Sequence, residues 1–264
     1  MNPFFLIFFL LFHFIISNAS FFRLCNINSY SKKNKIANEI NLINIISNIN
    51  NKNLKIKYKK NYIIILPVSK KSDGIFAYIS EKERLFFTLL LKNSKKYLEF
   101  GMGGSTLLAY MTPNIEKIIS IDSDYNWIQN IKSFKNLKYE EGKRIILNYI
   151  NVGNVGNWGV PISTKSSNIS NYSKQIFQKY ENDYDFVFID GNSRVACALQ
   201  VILNCKKDIK ILIHDFNYRP YYHILYKYLD IIYAIDSFAL FSIKDDIDIN
   251  EIKQDYEIYK TDIR

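Results

Sequence analysis

The sequence predicts an α/β fold: a doubly wound, mainly parallel seven-stranded sheet with helices on both faces. Three observations predict it. From Tyr62 onward, short apolar runs alternate with segments of helical character, the pattern of strand–helix–strand crossovers. The runs Tyr97–Phe100, Ile118–Ile121, Ile145–Ile150, Phe186–Ile189 and Ile209–Ile213 are largely continuous rather than alternating, as a sheet covered on both faces requires. The notable polar residues Glu99, Asp122, Asp190, His214 and Asp215 fall at the carboxyl ends of these runs, where such sheets bind ligands.

Ser80 and Glu83 form a capping box ahead of Leu85, Phe86, Leu89 and Leu90, which starts a helix. The first strand, Tyr97 to Phe100, ends in Gly101, and a helix from about Ser105 to Met111 is stopped by Pro113. The second strand ends at Asp122, and Ser123 or Asp124 caps a helix through Trp127, Ile128 and Ile131. After the third strand comes a Gly/Asn-rich loop, Asn151–Pro161, then a helix around Lys174–Tyr180. The fourth strand ends at Asp190 and leads into a helix over Arg194–Leu203; the fifth ends at His214-Asp215, with Pro220 at the first turn of the next helix. Ile231–Ile235 and Phe238–Ile243 close the sheet as an antiparallel pair.

The chain has 264 residues, 48% hydrophobic and 23% charged, which excludes a disordered chain and a coiled-coil rod. Three cysteines (Cys25, Cys197, Cys205) are too few for a disulfide framework and lack zinc spacing. The net charge of +10 suggests nucleic acid until its distribution is read. Residues 1–62 hold nine basic residues against one acid, leaving 26 basic and 24 acidic residues in 63–264. The body is close to neutral, and no nucleic-acid partner is expected.

The basic excess belongs to a leader. Phe4–Ile16 is apolar except for His13 and is followed by Ser17-Asn18-Ala19, a pattern that reads 1–19 as a signal peptide or short anchor. Such a segment directs entry into the secretory pathway, with membrane association only if it stays uncleaved. Residues 20–62 read as a basic Asn/Lys-rich linker or targeting segment; together with the leader they resemble the two-part plastid-targeting leaders of apicomplexan parasites. The domain proper is expected over 63–244, and 245–264 as a solvated acidic tail.

Glu99-Phe100-Gly101-Met102-Gly103-Gly104-Ser105-Thr106 is a strand, a glycine turn and a helix start. Glycines allow the sharp bend and close approach to a ligand. Asp122, at the next strand end, places a carboxylate where ribose hydroxyls bind. The dinucleotide pattern needs a third glycine where Thr106 stands, and the turn has no basic residue for a pyrophosphate, so a nucleoside without phosphates fits better.

These residues, with the Tyr184–Gly191 segment and the closing β pair, resemble class I S-adenosylmethionine-dependent methyltransferases over roughly Glu81–Ile243. The resemblance implies a Rossmann-like methyltransferase fold and S-adenosylmethionine as cofactor. It implies Gly101 and Gly103 flanking the methionine part, Glu99 reaching its amino group, directly or through water, and Asp122 holding the ribose. The loop after the third strand is where that family contacts adenine; no acid follows the strand here, so the contacting residue stays open, and Trp158 either stacks or plugs the loop.

On the acceptor side, Asp190 orients the acceptor, acts as base or ligates a metal, and His214 is a candidate base for a hydroxyl acceptor. Asp215 and Arg194 complete the catalytic candidates. Metal-dependent relatives carry Asn after the second carboxylate; Phe216 stands there, so no metal is expected. Arg194 and Arg219-Pro220-Tyr221-Tyr222-His223 form a basic, aromatic rim suited to a carboxylate-bearing or sugar acceptor. The Asp-Gly and His-Asp pairing also resembles, locally, plant glucuronoxylan O-methyltransferases. The expected partner is a small-molecule or glycan acceptor; a non-catalytic nucleoside-binding module is the alternative, and an NAD-type oxidoreductase is disfavoured by Thr106.

Overall fold

The computed structural model describes residues 77–134, 137–163 and 168–264; the leader 1–19 and the segment 20–62 lie outside the described residues. The elements alternate as α1 (Glu81–Lys92), β1 (Lys96–Phe100), α2 (Gly104–Tyr110), β2 (Lys117–Asp122), α3 (Tyr125–Lys132), α4 (Leu137–Glu140), β3 (Ile145–Tyr149), α5 (Asn171–Lys179), β4 (Phe186–Ile189), α6 (Arg194–Asn204), β5 (Lys210–Ile213), β6 (Leu229–Ile235), β7 (Phe238–Ile243) and α7 (Ile249–Tyr259). Short 3₁₀ turns cover Asn157–Gly159, Phe216–Tyr218 and Pro220–Lys227.

The seven strands form one sheet in the order β3-β2-β1-β4-β5-β7-β6. The first five are parallel, while β7 runs antiparallel to both β5 and β6. Strand order reverses where β1 lies between β2 and β4. A crevice opens at such a point because the two connections leave toward opposite faces.

Both sheet faces are covered, which explains the continuous apolar runs. On one face Phe87 of α1 packs against Tyr97, Phe186, Phe188 and Phe238, with ring centroids 4.9–6.5 Å apart. Burying such a ring contributes about 1.5–3 kcal/mol. On the other face Leu98, Phe100, Val187, Ile189, Ile211 and Ile213 join a cluster with residues of α5, α6 and α7. The expected capping box starts α1: Ser80 Oγ accepts from Glu83 N at 3.2 Å, and Ser80 N donates back to the Glu83 carboxylate at 2.7 Å. Asp124 caps α3, accepting from Trp127 N at 3.1 Å.

The 245–264 segment is not a solvated tail. It forms α7, capped by Asp248, with Ile252 and Tyr256 buried in the core cluster. Ile249, Ile252, Tyr256 and Tyr259 follow helical spacing among the acids, and the buried members of that stripe decide the outcome over the charges between them.

Candidate functional site

A cleft of about 660 Å³ opens at the carboxyl ends of β2, β1, β4 and β5. Its wall includes Gly101, Gly103, Asp122, Asp190, Arg194, His214 and Asp215, so seven of the eight residues singled out in the sequence meet there.

The glycine turn is built by close backbone approach. Gly101 has φ +96°, and a Cβ on it would lie 2.5 Å from Gly191 N, so the turns after β1 and β4 touch main chain to main chain. Gly191 is packed as tightly, its position facing the Tyr172 hydroxyl. Gly103 differs, since no atom lies within 4 Å of where its Cβ would be. That open space beside an extended backbone is the cradle a ligand would enter.

Asp122 braces the same turn. Its carboxylate accepts from Met102 N at 3.0 Å and Asp124 N at 2.8 Å. Burial pushes its pKa up to about 6, against the lowering effect of these donors. Each oxygen keeps a second lone pair for a ligand hydroxyl. Trp127, which the sequence reading did not select, also lines the cleft and donates its indole N–H to Met102 O at 2.6 Å. Its place in the first turn after the Asp124 cap is the available signal. Tyr78 and Tyr172 were also missed; both are wall residues supplied from outside the recognised motifs.

Glu99 is the exception. It is completely buried and absent from the cleft wall, its Oε2 accepting from Ser120 Oγ at 2.6 Å and from the Thr106 hydroxyl. Thr106 Oγ1 in turn accepts from Gly103 N at 2.9 Å. Glu99 thus supports the turn from beneath through Oε2, while its Oε1 is buried without a hydrogen-bond partner. Burial lifts its pKa to about 7.

The loop after β3 carries Trp158 with φ +61° and 78% exposed. Gly159 O accepts from Ser123 Oγ at 2.7 Å and Asn192 Nδ2 at 2.9 Å, pinning the loop beside Asp122. Trp158 meets Tyr78 edge to face at 5.4 Å across the cleft mouth.

At the other end, His214 Nδ1 lies 2.6 Å from Asp190 Oδ1, and its Nε2 lies 3.8 Å from Asp215 Oδ1. Burial alone would lower the histidine pKa, but the Asp190 hydrogen bond and the charges of Asp190 and Asp215 outweigh it and raise the value. Arg194 knits these strand ends together. It donates from Nε to Gly191 O at 2.8 Å, from Nη1 to His214 O at 2.6 Å and Asp215 Oδ2 at 3.2 Å, and from Nη2 to Asp190 O at 3.0 Å. With its fork engaged this way Arg194 is a positioning residue. Among the described residues no group of three or more His, Cys, Asp or Glu side chains is arranged to hold a metal.

The residues present fit a nucleoside that lacks phosphates. The glycine turn itself, Gly101–Ser105, carries no Lys or Arg, and Asp122 and Asp124 add carboxylates to the wall. Arg194, the arginine that reaches the adjoining Gly191, is spent on backbone carbonyls and strand-end carboxylates.

No protein-family model matches this sequence, and no curated protein matches it. Solved structures do match. A methyltransferase-like protein from Silicibacter pomeroyi aligns with a TM-score of 0.64 at 23% identity, covering 72% of this chain and 98% of its own. An O-methyltransferase from Bacillus cereus in complex with SAH aligns with a TM-score of 0.44 at 11% identity, covering 83% of this chain and 94% of its own. The sheet order, the glycine turn at its switch point and the Silicibacter pomeroyi structure agree: this chain has the class I methyltransferase fold.

Proposed function

We propose that the protein transfers a methyl group from S-adenosylmethionine to a hydroxyl of a small molecule or glycan. The observation that carries this reading is the His214–Asp190 pair, placed in one cleft with the open cradle at Gly103 and the ribose-type carboxylate of Asp122. Bound S-adenosylmethionine supplies an activated methyl group.

The protein's part is alignment and proton transfer. Gly103 leaves room for the methionine part, Gly101 lets the turn pack on Gly191 beside it, and Asp122 accepts from the ribose hydroxyls. Asp190 holds the Nδ1 proton of His214, so the neutral ring presents Nε2 as acceptor. With that methyl donor bound, His214 Nε2 would take the hydroxyl proton of the acceptor as the methyl group is transferred to its oxygen. Arg194 holds the His214 backbone through its carbonyl oxygen, and Asp215 lies on the Nε2 side, where its carboxylate favours the protonated ring.

Titration calorimetry with S-adenosylmethionine, S-adenosylhomocysteine and NAD tests the reading. It expects the first two to bind and NAD not to; the reverse order overturns it. Binding without transfer to any hydroxyl acceptor would favour a nucleoside-binding module. The apolar run Phe4–Ile16 further supports entry into the secretory pathway, which N-terminal sequencing of the mature protein would test by finding cleavage near Ala19.

A further inference from the structure

The cleft changes character beyond His214. Arg194, Arg219 and Arg264 line that end, against the carboxylates of Asp190 and Asp215. Arg194 is committed to the strand ends, but the side chains of Arg219 and Arg264 are 40% and 60% exposed.

Tyr221 joins these two. Its hydroxyl accepts from Arg219 Nη1 at 3.3 Å, and the Arg264 guanidinium lies 5.0 Å above its ring. A carboxylate presets each fork. Asp215 holds Arg219 Nη2 at 2.7 Å, while Asp262 takes Arg264 Nε at 3.0 Å and Nη2 at 2.6 Å. These ion pairs leave Arg219 Nε and Arg264 Nη1 for another partner. Asp262 is not part of the cleft wall, so it holds Arg264 from outside. The segment bearing Arg264 is tied down as well: Ser193 N and Arg194 N donate to the carbonyls of Ile263 and Arg264 at 3.3 and 3.1 Å.

We propose that Arg219, Tyr221 and Arg264 form an anion-binding subsite, and that the methyl acceptor is therefore a hydroxyl compound bearing a carboxylate or phosphate group. The anion would accept from Arg219 Nε and Arg264 Nη1, charge-assisted N–H donors that the two ion pairs leave unused. Much of the ordering such long side chains require is already in place, which favours binding. The word acceptor rests on the methyl-transfer reading; the anion subsite stands without it.

The test is titration of the full chain with inorganic phosphate and with acetate at fixed ionic strength, with and without saturating S-adenosylhomocysteine. One anion should bind at a single site. Arg264→Gln and Arg219→Gln should each weaken it about tenfold or more, with S-adenosylhomocysteine affinity unchanged for Arg264→Gln. Tighter binding of phosphate assigns a phosphorylated acceptor; tighter binding of acetate assigns a carboxylate. No anion binding to the unsubstituted protein, or binding that survives both substitutions, overturns the proposal. Failure of S-adenosylhomocysteine to bind overturns the methyl-transfer reading instead, and the titration without it still decides the subsite.

Discussion

His214 Nδ1 and Asp190 Oδ1 meet at 2.6 Å across the ends of the neighbouring parallel strands β5 and β4, which leaves Nε2 as the ring nitrogen that Asp190 does not engage. This pairing has opposite consequences for activity and stability. The raised histidine pKa means the contact stabilises the fold fully below the ordinary value near 6.5 and loses that effect as pH rises through the folded value. The base is neutral, and active, only above it.

Methyl transfer should therefore rise with pH along a limb whose midpoint lies above about 6.5. Asp190→Asn should move that limb to lower pH, since the carboxylate holds the proton on the ring. His214→Ala should slow transfer by about 10²–10⁴-fold with S-adenosylhomocysteine affinity nearly intact. A pH–rate profile on all three proteins checks this, and full turnover in His214→Ala would make the histidine structural.

Arg194 is nearly buried and satisfies carbonyls of both strand-end loops along with two carboxylates. Removing the guanidinium leaves Asp190 and Asp215 without their shared partner. Arg194→Met should cost about 3–5 kcal/mol in denaturant unfolding, the scale for breaking a buried ion pair from one side. Arg194→Lys should recover only part of this, because an ammonium cannot form the fork. A stability loss under about 1 kcal/mol for Arg194→Met would show that the strand ends hold themselves.

The sheet was legible in the sequence because its central strands are buried on both faces, so each reads as an apolar run ending in a polar residue. The site was legible for the same reason: Asp122, Asp190 and His214 stand at strand ends. The contacts of Arg194 were not, since its partners are mainly carbonyl oxygens, which no side-chain pattern encodes. The burial of Glu99 was not legible, because a carboxylate beside a glycine turn reads alike whether it faces the cleft or the helix start behind it. Helix α7 was obscured by the seven acids of 245–264, which mask its apolar stripe. Arg264 lies far along the chain from every motif, and only packing of α7 against α6 brings it to the cleft.

Gly101 and Gly103 sit two residues apart yet should respond differently to alanine. At Gly101 the added carbon meets Gly191 N at 2.5 Å on a left-handed backbone, so strain and collision add. Gly101→Ala should destabilise the fold by more than about 1–2 kcal/mol, the cost of a left-handed non-glycine residue alone. At Gly103 no atom lies within 4 Å, so Gly103→Ala should unfold at nearly the same midpoint while filling the cradle and weakening S-adenosylhomocysteine. Thermal unfolding and calorimetry on both variants separate the effects. Equal stability loss in the two would contradict the packing at Gly191.

Asp122 should make cofactor binding depend on pH. Its pKa is raised to about 6, so the proton is bound more tightly in the folded protein than in the unfolded chain. For this group the folded state is favoured at low pH, and that advantage disappears as pH rises from the ordinary aspartate value through about 6. Cofactor binding should run the other way. A ribose hydroxyl donates to the carboxylate, and a protonated acid offers a weaker acceptor, so S-adenosylhomocysteine affinity should fall as pH drops below about 6. Asp122→Ala should weaken binding by about 1.5–3 kcal/mol at neutral pH, the range for losing charge-assisted hydrogen bonds, and should remove this pH dependence. Calorimetric titration from pH 5 to 8 on both proteins measures it. An unchanged affinity in a folded Asp122→Ala variant would remove this carboxylate from the binding site, and Met102 N and Asp124 N would then be its whole role.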